Sequence, residues 1–452
     1  VTAATDVPDD LVAPPASQRQ PRGILVLATT QFWEAFSLYG VQAMLVLFMV
    51  DQLLLPGNKD RVLGLATTQA AIENLTGPLS SQALAVQLFG IYAGLLRFTP
   101  ILGGWVGDRL LGRRRTVAIG AVLMTLGHLC MAFDQTFLLA LLLLILGVGG
   151  MNANLMAQVS ALYGPEDRRR DDGFQIYYIG LNTGAFLAPV VCGWLGQEYS
   201  WHLGFAVAGI GMLGALIIYL AGGKHLPADT PRLPAAERVR LTPPQRRIVI
   251  FLCLLVPVTA LFWMSQAQVW NVYNIWVRDH VDLSIAGWRV PVPWFQALDS
   301  LAPLIMAPLL IATWRAQARR GREPGDVMKL AIGCLFMAGS MVWLAIAGPI
   351  FGDRAPLLWV VAFHFILNLG WLFFVPVMLA VYGRLAPQSV NAMMMGVNTL
   401  AVFLASTIGG RIGGLYETMT PTAFWLLHAG ITTVGAVIFV ALRPVVARLE
   451  AQ

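Results

Sequence analysis

The chain has 452 residues, of which 57% are hydrophobic and only 12% charged, and its mean hydropathy is +0.68. A soluble domain needs about 25% charged residues to cover its surface, so composition excludes that class and leaves a polytopic membrane protein. The net charge of +6 and pI of about 9.3 would suit a nucleic-acid binder, but the basic residues sit in short loops between apolar segments, where they record orientation in a bilayer.

Residues 1–20, rich in Pro, Asp and Ala, read as a disordered cytoplasmic tail without a cleavable signal. Apolar segments long enough to span a bilayer, about 20 residues or more, follow at 24–50, 84–107, 116–133, 136–162, 174–198, 203–222, 247–273, 293–318, 327–348, 356–382, 389–414 and 422–445. They predict twelve helices, six within 21–222 and six within 247–452, joined by a polar, basic linker at 223–246. With both termini in the cytoplasm, 23 of the 30 Lys and Arg fall on that side. Lys59, Arg61, Arg278, Arg289 and Arg354 fall opposite, and Arg97 and Arg411 lie within helices. Only three of the basic residues are Lys, a usage that fits a GC-rich genome and a bacterial inner membrane.

Between the second and third segments stands Gly103–Val117, GGWVGDRLLGRRRTV. Gly103, Gly104 and Gly107 let one helix approach another closely. Asp108, at the membrane edge, is placed to pair with an arginine or to cap the next helix, so Asp108, Arg109 and Arg113 are expected to form a gate. In the fifth segment, Phe174–Pro189 reads FQIYYIGLNTGAFLAP, where Tyr177, Tyr178 and Asn182 supply uncharged hydrogen-bonding groups to a cavity. Cys130, Cys192, Cys253 and Cys334 all fall in apolar segments without metal-ligand spacing and read as free packing residues. His128, His364 and His428 lie within helices and His202, His225 and His280 near loops, and their spacing points to packing rather than ligation.

The glycine, acid and arginine block resembles the loop between helices 2 and 3 of the major facilitator superfamily, and its GGWxxDRxxGxRRTV form is similar to that of the proton-coupled oligopeptide transporter family. The helix 5 stretch resembles the same family, with Thr183 at a usually apolar place. So do SLYG near 37, LYGPEDRRRD at 162–171, WFQ at 294–296, LAP at 385–387, MMGV at 394–397 and GLYE at 414–417. The resemblance implies an all-α membrane protein with the twelve-helix major facilitator fold, two six-helix halves around a midplane cavity. It also implies import of small peptides driven by protons.

The departures concentrate where that family does its chemistry. The family's E-x-x-E-R on helix 1 reads Gln31-Phe32-Trp33-Glu34-Ala35 here, so only the second acid survives. Its helix 4 lysine aligns with Asn152, its helix 10 glutamate with Trp371, its helix 7 glutamate falls near Ala267, and its helix 1 arginine aligns with Gln42. Acids and bases have gone together, as charge balance demands: a buried charge stripped of its partner costs several kcal/mol, so losing both is cheaper than losing one. The usual proton relay and peptide-terminus clamps are therefore not expected in their usual form.

New ionisable groups stand nearby. Arg97 occupies the place of a helix 2 tyrosine and Asp299 that of a helix 8 asparagine, and an ionisable residue deep in an apolar segment marks a substrate or ion pathway. Arg97 either engages an anionic group of the substrate or pairs with Glu34. Asp299 either engages a cationic or donor group or is a neutral acid bonded to a neighbouring helix. Gln31, Glu34, Ala35, Leu38 and Gln42 share one helical face; Gln268, Asn271 and Asn274 follow similar spacing; Asn398 replaces a helix 11 tryptophan. The cavity is thus expected to be amide-rich, and to recognise hydroxyls, amides and zwitterions.

The expected substrate-binding set is Glu34, Tyr39, Gln42, Arg97, Asn152, Tyr177, Asn182, Gln268, Asn271, Asp299, Trp371 and Asn398, with Glu34 and Asp299 as proton carriers. The sequence contains no phosphate-cradling loop, nucleophile–base pair or metal cluster. The expectation is therefore a secondary transporter of peptides or peptide-like polar solutes, with an atypical substrate and altered proton coupling. Enzymatic activity, cofactors, metals and nucleic-acid partners are not expected. The competing reading is a facilitator, sensor or scaffold that binds a solute without concentrating it.

Overall fold

A computed structural model describes residues 19–164, 166–229 and 241–450. Most of the expected tail and the middle of the expected linker lie outside the described residues. Twelve long helices account for most of the described chain: α1 (Arg22–Phe48), α2 (Ser81–Val106), α3 (Arg113–Cys130), α4 (Phe137–Ala161), α5 (Arg169–Glu198), α6 (Trp201–Ala221), α7 (Pro243–Val269), α8 (Trp294–Arg319), α9 (Asp326–Ala345), α10 (Leu357–Leu385), α11 (Asn391–Gly413) and α12 (Pro421–Glu450). Among the described residues, eleven helices are long and apolar enough to cross a membrane. The twelfth, α3, has 18 residues and opens on Arg113, Arg114 and Arg115, so its charge is collected at one end while the remainder is apolar. In a bilayer only helices satisfy every backbone group within one segment, and exposed leucines and isoleucines such as Leu254, Ile210 and Leu309 stud the outer faces.

Local sequence sets several helix ends. Thr242 and Gln245 form a capping box and Pro243 opens α7, a strong start signal that places the helix four residues ahead of the expected 247. The same helix stops at Val269 instead of 273. Trp270 and Asn271 leave the helical backbone and a separate short helix, Val272–His280, begins. Also beyond the sequence reading are the amphipathic helix Leu65–Thr76, which buries Leu65 and Ile72, and a small hairpin pairing Ser284–Ile285 with Trp288–Arg289. Ala286 and Gly287 turn that hairpin at φ +50 and +81.

Helices α1–α6 pack among themselves and α7–α12 among themselves, with α1 the most buried of the first group; α2 meets α11 and α5 meets α8 between the groups. The α2–α11 contact needs glycine on both sides. A Cβ on Gly90 would lie 2.6 Å from the Ser406 carbonyl and 2.7 Å from the Gly410 Cα, so the two backbones touch where other membrane helices would be spaced by side chains.

The four cysteines are free, Cys192 and Cys334 buried in the core and Cys253 exposed.

Candidate functional site

Among the described residues, a set of bonds joining the two helix groups lies at one end of the bundle, where α1 ends and α2 begins. Arg278 pairs with Asp51 and, at 2.7 Å, with its neighbour Asp279. Ser80 bonds Glu417, and the Arg411 guanidinium donates to the Thr76 carbonyl at 2.5 Å. Asn271 Nδ2 donates to the Val86 carbonyl at 3.1 Å, and Trp294 Nε1 to the Val190 carbonyl at 2.9 Å. At the opposite end, which carries Arg113–Arg115, the ion pairs Arg113–Asp108, Arg169–Asp167 and Arg384–Asp326 each stay within one helix group. The bundle is thus clamped on the Asp51 side.

Arg278 is the hub of that clamp. Arg278→Gln should shift the population toward an opened Asp51 side, because it removes both charge-assisted contacts and leaves a shorter, neutral polar side chain. Spin-label distances across that mouth should lengthen, and unchanged distances would show the pair to be incidental.

Inside the bundle, each helix group holds one buried polar cluster. In the first, Gln31 Nε2 donates to Glu34 Oε2 at 2.7 Å while the Tyr177 hydroxyl donates to Gln31 Oε1 at 2.5 Å. These i, i+3 partners on α1 share a face, as their spacing predicts. Among the described residues, Glu34 Oε1 and the Tyr92 hydroxyl are buried without a hydrogen-bond partner, an unusual arrangement for buried polar groups. Arg97 is exposed. Among the described residues it makes no salt bridge with Glu34, the alternative weighed against a substrate anion. Gly94 and Phe98, on either side of Arg97, pack on Phe403 of α11, so this stretch of α2 lies along the junction of the two helix groups.

The second cluster surrounds Asp299, whose side chain is 11% exposed. Its Oδ1 accepts from His364 Nδ1 at 2.8 Å and from Asn368 Nδ2 at 3.2 Å, and its Oδ2 accepts from Trp270 Nε1 at 3.1 Å. His364 is fully buried, and its Nε2 lies 2.9 Å from the Tyr273 hydroxyl. The break after α7 makes this possible, because Trp270 leaves the helix there and points its indole N–H at α8. Tyr39 of α1 packs on the Trp270 ring, with centroids 5.5 Å apart, which brings the first helix group up to the second cluster.

The other expected site residues divide. Trp371 continues the His364, Asn368 stripe of α10 at i+7 and i+3 and is half-buried. Asn398 is half-buried on α11 with an unpartnered Oδ1. Asn152 and Gln42 have no hydrogen-bond partner among the described residues, and Asn182 donates to the Tyr178 carbonyl of its own helix at 2.8 Å. Gln268 and Asn271, expected in the cavity wall, are instead buried clamps: Gln268 donates to the Gly409 carbonyl at 2.8 Å and Asn271 spans to α2. Their amides are consumed by backbone carbonyls exposed where α7 breaks and α11 meets it.

Of the expected gate residues, Asp108 accepts from Arg113 Nε at 2.8 Å, and both belong to the first helix group. Arg109 is exposed. The helix that follows is capped by another acid, Asp229, which accepts from the Arg114 backbone N–H at 2.9 Å.

Sequence reasoning missed Trp270, Tyr273, His364 and Asn368. Weighing each histidine alone pointed to packing, which suits His428, whose ring lies among Phe424 and Trp425 without a hydrogen bond among the described residues. For His364 the available signal was the pairing of a helix 8 acid with His and Asn four residues apart on helix 10.

A family model described as PTR2, POT family, matches residues 114–242 and 236–426. The chain is 28% identical to a di-/tripeptide transporter of Lactococcus lactis subsp. cremoris, over 94% of this chain and 96% of that protein. It is also 28% identical to the uncharacterized transporter YclF of Bacillus subtilis (strain 168), over 95% and 94%. Among solved structures, a mutant of the peptide transporter POT in complex with alafosfalin superposes with a TM-score of 0.83 at 28% identity, covering 96% of each chain. With helices packed as in those structures and a family model spanning most of its length, this chain is an integral membrane protein belonging to the POT family.

Proposed function

We propose that the chain carries small peptides or peptide-like polar solutes across a bacterial inner membrane by alternating access, driven by protons. The observation that supports this reading is a buried polar cluster in each helix group, with the cross-group bonds among the described residues gathered on the Asp51 side. The positive-inside rule assigns the Arg113 end to the cytoplasm, with both termini there, so the bundle is in an inward-facing state. The moving units are the six-helix halves 21–222 and 247–452, joined by the linker at 223–246. The family supports the substrate class, as do the relative named for di- and tripeptides and the alafosfalin complex.

In this reading Arg97 takes the anionic group of the substrate and Asp299 a cationic or donor group. Glu34 and Asp299 carry protons, while Tyr39, Gln42, Asn152, Tyr177, Asn182, Trp371 and Asn398 shape the wall around the solute. A protein without the family's usual terminal clamps holds a zwitterion by these two charges of opposite sign instead.

The test is uptake of labelled dialanine into proteoliposomes under an inward pH gradient. Accumulation that collapses on adding a protonophore is expected, and equilibration alone would overturn proton-driven transport. Arg97→Gln keeps a donor but removes the charge. Binding of a free peptide should weaken by about 1.5–3 kcal/mol, the worth of a hydrogen bond to a charged group, while a peptide with an amidated C-terminus should be far less affected. Equal losses for both peptides would remove Arg97 from carboxylate recognition.

A further inference from the structure

We infer that protonation of Asp299 at Oδ2 makes that oxygen a poorer acceptor and weakens its hydrogen bond from the Trp270 indole N–H, so that protonation of this acid is read out at the contact between the two helix groups. Its place in the transport cycle rests on the proton-driven reading above. The two oxygens of Asp299 are not equivalent. Oδ1 accepts from His364 Nδ1 at 2.8 Å and from Asn368 Nδ2 at 3.2 Å, whereas Oδ2 accepts from Trp270 Nε1 alone among the described residues.

His364 is held as a donor to Oδ1. Its Nε2 lies 2.9 Å from the Tyr273 hydroxyl, and a tyrosine O–H donating to Nε2 leaves the imidazole proton on Nδ1. Both residues are fully buried, while the Asp299 side chain keeps 11% exposure. A proton arriving from outside the cluster therefore meets the carboxylate before the imidazole. With Oδ1 occupied by two donors, the oxygen open to it is Oδ2. One proton is taken up, the cluster loses one negative charge, and the hydrogen bond from Trp270 is weakened or displaced.

Trp270 is where this event meets the rest of the molecule. It follows the last residue of α7, at the break before the helix Val272–His280, and its ring carries Tyr39 of α1 at 5.5 Å. One residue further on, Asn271 bonds the Val86 carbonyl of α2 at 3.1 Å, and Arg278 at the far end of the short helix pairs with Asp51. Release of the indole thus loosens the segment that anchors the clamp on the Asp51 side. The titratable groups facing Asp299 are His364 from α10 and Tyr273 from the short helix; Tyr39 of α1 approaches through Trp270. No Arg, Lys or second acid lies within ion-pair distance of Asp299 among the described residues, so the carboxylate's charge is controlled by its own proton. His364 and Tyr273 act as positioning residues, and Trp270 transmits the change.

The test follows spin-label distances across the Asp51-side mouth in the full chain, in nanodiscs without substrate, at pH 7.5 and in the ordinary carboxylate range near pH 4. Acidification should raise the opened population at least fivefold in the unmodified protein. Trp270→Phe, which keeps a ring against Tyr39 but lacks the N–H, and Asp299→Asn should both lose most of that response. His364→Gln should reduce it by disordering Oδ1. A thermal-unfolding midpoint and a monodisperse elution profile like those of the unmodified protein confirm an intact bundle in each variant. A Trp270→Phe response equal to that of the unmodified protein would overturn the inference, as would no response in the unmodified protein. Because the distances need no substrate, a failure of the transport reading registers separately, as absent uptake beside an intact pH response.

Discussion

Replacing Glu34 with Gln and Asp299 with Asn together should abolish uphill accumulation of peptide while leaving counterflow exchange. These are the two carboxylates set deep within the spanning helices, one in each helix group, and each is ringed by uncharged donors or a histidine rather than by a fixed cation. A pH gradient of one unit supplies about 1.4 kcal/mol for each coupled proton, enough for a tenfold accumulation; a variant with no group to carry that proton reaches a ratio of one. Exchange needs substrate binding and alternation but no net proton movement, so at saturating peptide its rate should change by less than the loss in accumulation. The amides are close in shape to the acids. In Glu34→Gln the new amide still offers an oxygen to Gln31. In Asp299→Asn the new amide must turn its NH2 toward one of three N–H donors, so the second substitution is the more disruptive locally. Persistent proton-driven accumulation by the double variant would assign coupling to other groups.

Much of this was legible because membrane chemistry writes fold into sequence. Every long apolar segment became a helix within a few residues, and the glycines around residue 103 announced a close helix contact that the structure contains. What sequence left out depends on interruptions shorter than a helical turn. The break at Trp270–Asn271 moves Gln268 and Asn271 out of the expected cavity wall and turns Trp270 toward Asp299. No periodic pattern encodes such a break, because apolar residues continue through it. The Asp51–Arg278 pair joins residues 227 apart, each at a helix end where charge is unremarkable. Glu34, Arg97 and Asp299 stood out for the opposite reason: an ionisable group in an apolar run is costly enough to need an explanation. The explanation for Arg97 could not be read further, since a salt bridge with Glu34 and an open site for a substrate anion predict the same residue in the same place.

The glycine contact makes the other large prediction, and the structure supplies its own control. Gly103 of α2 lies against α4 so closely that a Cβ there would sit 1.8 Å from the Gly149 carbonyl oxygen. That atom is backbone, locked in its own helix, and cannot rotate away. The contact is also pinned in place by Asn154, whose Nδ2 donates to the Gly103 carbonyl at 2.9 Å and to that of Gly150 at 3.0 Å. Gly103→Ala must therefore push two helices apart, breaking these bonds and opening the packing of Gly107, whose own Cβ would lie 2.0 Å from the Asn154 side chain. The cost expected for forcing a methyl into such a contact is about 3 kcal/mol, at the upper end of overpacking effects. Gly104, one residue on, faces the Ala153 Cβ at an ordinary 3.5 Å, and Gly104→Ala should change stability by less than about 0.5 kcal/mol. Thermal unfolding of the two variants in the same detergent decides the matter: a large drop in midpoint for the first alone is expected. Equal behaviour would mean that α2 and α4 yield to one another, and that glycine at 103 serves helix motion rather than fixed contact.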